Sequence, residues 1–338
     1  MNARLREIDL LRFAAAVQMV QGHTIDAVLS PAYRSGAVHH AWLWLRGLTS
    51  VAFLFTAGIS FSLATLRDLP RHRADARNGA RRFRRAGTLI LIGYALHAPL
   101  GWALGAEGTS FASALAEALI VDVLQCIGVS LLALEALACV STSARAVELA
   151  SAAVALLLLG LAPLARRIDP SGAWLPLLDY VTRRGGSLFP LLPWAAHLFA
   201  GAASARFLLH GERRALRLAG AAALLIAAAL LPLPAPIPDH LSRLGWVIAV
   251  TAALAALEPV TRGVPAWVVA VSSETLFVYA FHVLLVYGQV LGLRDRVGTA
   301  LTPLPSCALA LCMIAFSFGG ALAYRRASAG LARSTATG

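Results

Sequence analysis

The chain contains no lysine, and all 29 of its basic residues are arginine. With Ala and Leu abundant, this reads as genomic base composition and carries no functional meaning. Charge of either sign is scarce: 14% of the 338 residues are charged, where a soluble domain has about a quarter. That shortage excludes an ordinary water-soluble globular protein. Cysteine is equally scarce. Cys126, Cys139, Cys307 and Cys312 all lie in apolar stretches without CxxC spacing, which argues against a disulfide framework or a zinc site and reads them as small core hydrophobes. No internal repeat relates one half of the chain to the other, which weighs against the repeat-built transporters.

What remains is apolar. Hydrophobic residues make up 59% of the chain, and its mean hydropathy is +0.72. Stretches long enough to cross a bilayer core of about 30 Å as helices fall near residues 9–29, 46–66, 86–105, 118–139, 147–165, 187–209, 215–232, 244–258, 266–291 and 305–324. The expected fold is therefore all-α and polytopic, with about ten transmembrane helices. No loop between them is long enough for a soluble domain, so residues 1–338 are expected to form a single membrane domain. The net charge of +12 would suggest nucleic acid in a soluble chain; here it is read as a topology signal, with no nucleic-acid partner and a lipid bilayer as surroundings.

Eight arginines lie between Arg67 and Arg85, so the positive-inside rule makes that segment cytoplasmic and, with ten spans, both termini cytoplasmic. The other loops agree, with 19 arginines on the cytoplasmic side against nine outside and Arg12 at the boundary. The first span is not a signal peptide, because its apolar stretch carries Asp9, Arg12, Gln18, Gln21, His23 and Asp26.

Ionisable residues within spans are expensive and usually mark function. In the first span Asp9, Arg12, Ala16, Met19, His23 and Asp26 follow spacings of three and four and share one helix face. At about 1.5 Å per residue, His23 lies roughly 21 Å along the axis from Asp9, well into the outer half. The sixth span adds Trp194 and His197, and the ninth adds Glu274 and His282 two turns apart, with Tyr279 on an overlapping face. Asp122 and Gln125 are one turn apart in the fourth, as are Tyr94 and His97 in the third. The outer loop after the first span carries His39 and His40 beside Trp42 and Trp44, whose indoles read as interfacial anchors.

The run Arg6-Glu7-Ile8-Asp9-Leu10-Leu11-Arg12, followed by Met19-Val20-Gln21-Gly22-His23, resembles the first-helix signature of the transmembrane acyltransferases. These comprise the heparan-alpha-glucosaminide N-acetyltransferase family and bacterial membrane O-acyltransferases that decorate surface polysaccharides. The similarity continues in order through Gly47-Leu48-Thr49, Phe53-Leu54-Phe55-Thr56-Ala57-Gly58, Val123-Leu124-Gln125-Cys126-Ile127-Gly128, Phe189-Pro190-Leu191-Leu192-Pro193-Trp194 and Thr275-Leu276-Phe277-Val278-Tyr279-Ala280-Phe281-His282. It lies nearest the heparan N-acetyltransferase branch. Phe13 stands where that family usually has Gly, and Cys126 where an Arg often follows the Leu-Gln pair.

The resemblance implies an integral membrane acyltransferase that takes an acetyl or other short acyl group from cytoplasmic acyl-CoA. The group is delivered to an amino sugar or glycan acceptor at the extracytoplasmic face, with no metal. The chemistry needs a histidine as base or transient acyl carrier. The O-acyltransferase branch uses a histidine at the place of His23; the heparan branch has its reactive histidine just after the first span, where His40 or His39 stands. Both assignments stay open, with Asp26 beside them. Arg6 and Arg12, with Asp9 orienting Arg12, would meet the CoA phosphates together with Arg81, Arg82, Arg84 and Arg85, and Gln125 is placed there by its motif. Trp194, His197, Glu274, Tyr279 and His282 would line the acceptor pocket. The implied location is a bacterial inner membrane, with a homodimer as one possible assembly. A second reading, a proton-coupled secondary transporter, would use the same intramembrane Asp, Glu and His residues.

Overall fold

The computed structural model describes residues 5–99, 103, 110–169, 175–183, 186–261, 263–288 and 292–334. Among these the chain is helical and forms no strand, only an isolated parallel bridge between Leu29 and Leu301. In chain order the main helices are α1 (Arg6–Val28), α2 (Gly36–Thr65), α3 (Leu69–Ala74), α4 (Ala76–Leu96), α5 (Phe111–Ala118), α6 (Val123–Val140) and α7 (Ala144–Ala165). They continue as α8 (Leu191–Leu209), α9 (Arg214–Ala228), α10 (Ile237–Ala256), α11 (Ala266–Ser273), α12 (Thr275–Tyr287), α13 (Leu293–Val297) and α14 (Pro303–Ser334).

Among the described residues four helical stretches are long and apolar enough to cross a membrane: Gly36–Ala74, α6, α7 and α14. The pair α11 and α12 makes a fifth if counted as one bent span. Helices α1, α4, α8, α9 and α10 overlap the other expected stretches, with α4 ending at Leu96. The span ends expected at 105 and 291 lie outside the described residues.

Three local expectations change. The arginine-rich segment 67–85, read as a loop, is helical: Asp68 caps α3, and the Asp75 carboxylate accepts from the Arg77 and Asn78 amides to start α4 ten residues before the expected span. Such a cap satisfies two of the four orphan amides at a helix start, so charged residues there do not prevent helix formation. His39 and His40 likewise belong to the first turns of α2 and not to a loop. The ninth span is broken at Glu274, where α11 and α12 meet at 72°. Of the cysteines only Cys126 is buried; Cys139, Cys307 and Cys312 are exposed on helix surfaces, which apolar lipid tolerates as a core would.

The chain forms two compact units, Met1–Thr49 with Leu254–Gly338, and Ser50–Ala253. In the first, α1 is packed by α11, α12 and α14. Its inward positions Ile8, Leu11, Ala15, Ala16, Met19 and Val20 are buried at three- and four-residue spacing. Phe13 fills the space beside two of these partners, its ring 5.5 Å from Trp267 and 5.4 Å from Phe318. The C-terminal carbonyls of α1 are taken by Arg34, which donates to Asp26 O at 2.7 Å and to Leu29 O at 2.8 Å. Beyond them the bridge is closed by Leu301 N donating to Val28 O and Ser30 N to Leu301 O, both at 2.9 Å.

In the second unit α4 pairs with α6, and α7 with α8. The second half of α2 approaches α8 so closely that a Cβ on Gly58 would collide with the Leu198 carbonyl, and one on Gly201 with that of Phe55. Small residues at such crossings let helix backbones approach where no hydrophobic force draws helices together in lipid.

Candidate functional site

The polar face of α1 meets α12 inside the first unit. His23 Nδ1 lies 2.8 Å from His282 Nε2, and the two rings stack with centroids 5.0 Å apart. His282 has no exposed surface. Its Nδ1 lies 2.7 Å from the Val278 carbonyl, one turn back on α12. Tyr287 closes the other side, with its ring 5.6 Å from that of His23 and its hydroxyl donating to His23 O at 3.2 Å. Tyr279, also buried, meets the edge of His282 at 5.7 Å. Sequence spacing alone put His23 and His282 on separate polar stripes; packing of α1 on α12 brings them together.

Asp26, one turn after His23, forms an ion pair with Arg46 of α2. The arginine stem crosses Gly22, where a Cβ would come within 3.1 Å of it. Arg46 also lies over the Trp42 ring at 5.5 Å. Trp42 packs on Ile25, Leu29 and Ala310, which gives it a packing role besides any interfacial one. His40 is exposed, whereas His39 is half-buried with its ring 5.4 Å from Trp42. At the opposite end of α1, Asp9 is buried while Arg6 and Arg12 are half-buried. Glu274, at the break between α11 and α12, lies 3.7 Å from Arg325 of α14, which also donates to Ser273 Oγ at 2.9 Å. It therefore marks a helix junction and makes no pair with His282, although the sequence puts the two on one face.

The second unit holds another histidine pair. His197 Nε2 lies 2.9 Å from His240 Nδ1 with rings stacked at 5.2 Å. Trp194 packs against His240 at 4.9 Å, and its buried Nε1 has no hydrogen-bond partner among the described residues. Gln125 is fully buried and works as half of a capping box: its Oε1 accepts from Asp122 N at 3.2 Å, and its Nε2 donates to Ile120 O at 3.2 Å. His97, bonded through Nδ1 to Gly93 O, faces Asp122 at 3.9 Å. Arg81, Arg84 and Arg85 are exposed on α4, while Arg82 reaches the Ala64 carbonyl at 3.3 Å. Next to them a cavity of about 710 Å³ is lined by His72, Arg73, Asp75, Gly79, Phe83 and Cys139 among others, with His72 bonded to the buried Glu135 at 2.6 Å. Tyr180, in the loop before α8, shares a 2.7 Å hydrogen bond with Tyr94 of α4; burial and this bond push the Tyr180 phenol up. Burial also raises the carboxyl of neighbouring Asp179. Among the described residues no group of three or more His, Cys, Asp or Glu is arranged to hold a metal ion.

Residues 4–233 match the family model of the heparan-alpha-glucosaminide N-acetyltransferase catalytic region. The chain belongs to this family. Among curated proteins none matches the chain. Membership in the heparan-alpha-glucosaminide N-acetyltransferase family makes it a relative of membrane acetyltransferases, which in general use acetyl-CoA as donor. The matched stretch contains His23, His39, His40, Asp26 and the arginines of α1 and α4, whereas Glu274, Tyr279 and His282 lie beyond it.

Arg46, Tyr287 and His240 contact these groups and were not singled out by sequence reasoning. Arg46 counted only toward charge bias and His240 stood outside every polar stripe. Gly22 beside His23 was the one local sign that something crosses α1 there.

Proposed function

We propose that the chain is an acyl-CoA-dependent acetyltransferase that modifies an amino sugar or glycan hydroxyl at the extracytoplasmic face of a bacterial inner membrane. Residues 1–338 act as one catalytic domain in this reading, with about ten spans and both termini cytoplasmic. The observation that carries it is the His23 ring, half-buried on a polar helix face within the family-matched stretch and hydrogen-bonded through Nδ1 to a second imidazole. That leaves Nε2 for a proton or an acyl group.

As a base, His23 takes the proton of the acceptor amine or hydroxyl while that atom attacks the thioester carbonyl; the CoA thiolate leaves and takes the proton back. As a carrier, a histidine attacks the thioester itself and is then deacylated by the acceptor, a role for which His40, exposed at the start of α2, is the other candidate. Asp26 supports this end of α1 through Arg46. Arg6 and Arg12, and Arg81, Arg84 and Arg85, each supply positive charge for the donor phosphates at the cytoplasmic face. Trp194 and His197, buried beside His240, would line the acceptor pocket in this reading.

The test is acetyl transfer from radiolabelled acetyl-CoA to glucosamine by purified protein in nanodiscs. His23→Ala is expected to lower kcat on the order of 10² to 10⁴-fold, the span of general acid–base contributions. Rapid denaturation in the cold at neutral pH before acceptor addition separates the two roles, since a carrier holds label that His40→Ala or His23→Ala abolishes. Solute uptake driven by a proton gradient in the absence of CoA would instead favour the transporter reading.

A further inference from the structure

The His23–His282 pair contains its own proton assignment. The Val278 carbonyl can only accept, so the His282 Nδ1 that lies 2.7 Å from it carries the hydrogen. A neutral imidazole with a proton on Nδ1 has its lone pair on Nε2. That Nε2 is the atom facing His23 at 2.8 Å, so His23 Nδ1 must be the donor. Neutral His23 then has its lone pair on Nε2. Both ring nitrogens of His282 are committed within the protein, and the side chain has no exposed surface.

From this chain of bonds we infer that His282 is a positioning residue that fixes the tautomer and ring orientation of His23, presenting His23 Nε2 as the unprotonated nitrogen. The arrangement runs carbonyl, imidazole, imidazole, with the second imidazole in the place that a carboxylate takes in a serine hydrolase triad. Tyr287 and Tyr279 pack on the two rings and keep them from rotating. When His23 Nε2 accepts a proton, the charge formed is shared through the Nδ1–H···Nε2 bond to His282, and no atom of His282 leaves its hydrogen bonds. The inference rests on the reading of His23 as the reacting histidine. It also explains why a residue outside the family-matched stretch would matter for turnover.

The experiment uses the full chain in nanodiscs, with acetyl-CoA and glucosamine for turnover and nitrogen-15 histidine NMR for the tautomer. Wild-type His23 should give the signature of a protonated Nδ1 and an unprotonated Nε2. His282→Leu should lower kcat on the order of 10²-fold with the KM for acetyl-CoA within about twofold, and His23 should become a mixture of tautomers. His282→Gln, whose side-chain oxygen can occupy the place of Nε2 as acceptor, should recover at least about tenfold of that loss; a merely structural role predicts no such rescue. The inference is overturned if His23 carries its proton on Nε2 in the wild type, or if His282→Leu turns over like wild type while His23→Ala is inactive. Turnover that survives His23→Ala would instead remove the reading on which the inference depends.

Discussion

Arg46 determines what Asp26 can do. Its pairing with the Asp26 carboxylate ties α2 to the end of α1 just past His23. With each side chain about a quarter exposed, a double-mutant cycle of Asp26→Asn and Arg46→Gln read by thermal unfolding should give a coupling of about 1 kcal/mol, the upper end for solvent-accessible pairs. Zero coupling would reduce the contact to a geometric coincidence. Asp179 supplies a pH test. Burial raises its carboxyl, so the folded chain binds this proton more tightly than the unfolded one; stability from this group is present below the unfolded aspartate range and falls as pH rises through the raised value. Asp179→Asn should therefore raise Tm at pH 7, and the gain should shrink as pH falls through the acid range. A pH-independent gain would assign the effect to packing. At this scale the sequence revealed residue types but few partners. His23, Asp26 and His282 stood out because charge and imidazole are rare in apolar stretches, whereas their actual partners depend on which helices meet, and that is decided by residues more than 250 positions apart in the case of His23 and His282.

Helices were the most legible elements, because apolar runs and capping residues are local signals. The starts of α4 and α6 follow from Asp75 and from the Asp122–Gln125 box, and the second of these gives Gln125 a capping role at the start of α6. The break at Glu274 was not legible, since hydropathy continues through it and no Gly or Pro announces it; Arg325, on α14, holds the junction. The crossing of α2 and α8 was visible only as two scattered glycines. Gly58→Val should lower stability by about 1–3 kcal/mol, the range for overpacking, because the obstacle is backbone at Leu198. Gly160→Ala in α7, with nothing within 4 Å of the added carbon, is the control and should not lower yield or Tm, since alanine favours a helix interior over glycine. Equal losses in both would point to general helix sensitivity and not to the crossing.

For the molecule as a whole, the membrane character was legible from composition, and the family from ordered motifs. The order in which helices pack was not, because α1 is buried by helices from the far end of the chain. Topology can be checked directly in a chain freed of its four cysteines. Asn78→Cys is expected to escape an impermeant maleimide in intact cells, and Ser35→Cys to react; the reverse pattern would invert the orientation read from the arginines. The family-matched stretch stops at residue 233, so a fragment cut there would keep the motifs up to Trp194 yet lose the one from Thr275 to His282 together with α11, α12 and α14, and with them the covering of α1. The bridge at Leu29 and Leu301 gives this long-range closure a measurable clock. Two of its amides, Ser30 and Leu301, sit outside every helix and yet are bonded across 271 positions of sequence, counted from Ser30 to Leu301. Their deuterium uptake should be slow and should quicken together whenever the two ends of the chain part, which makes them reporters of the opening of this unit.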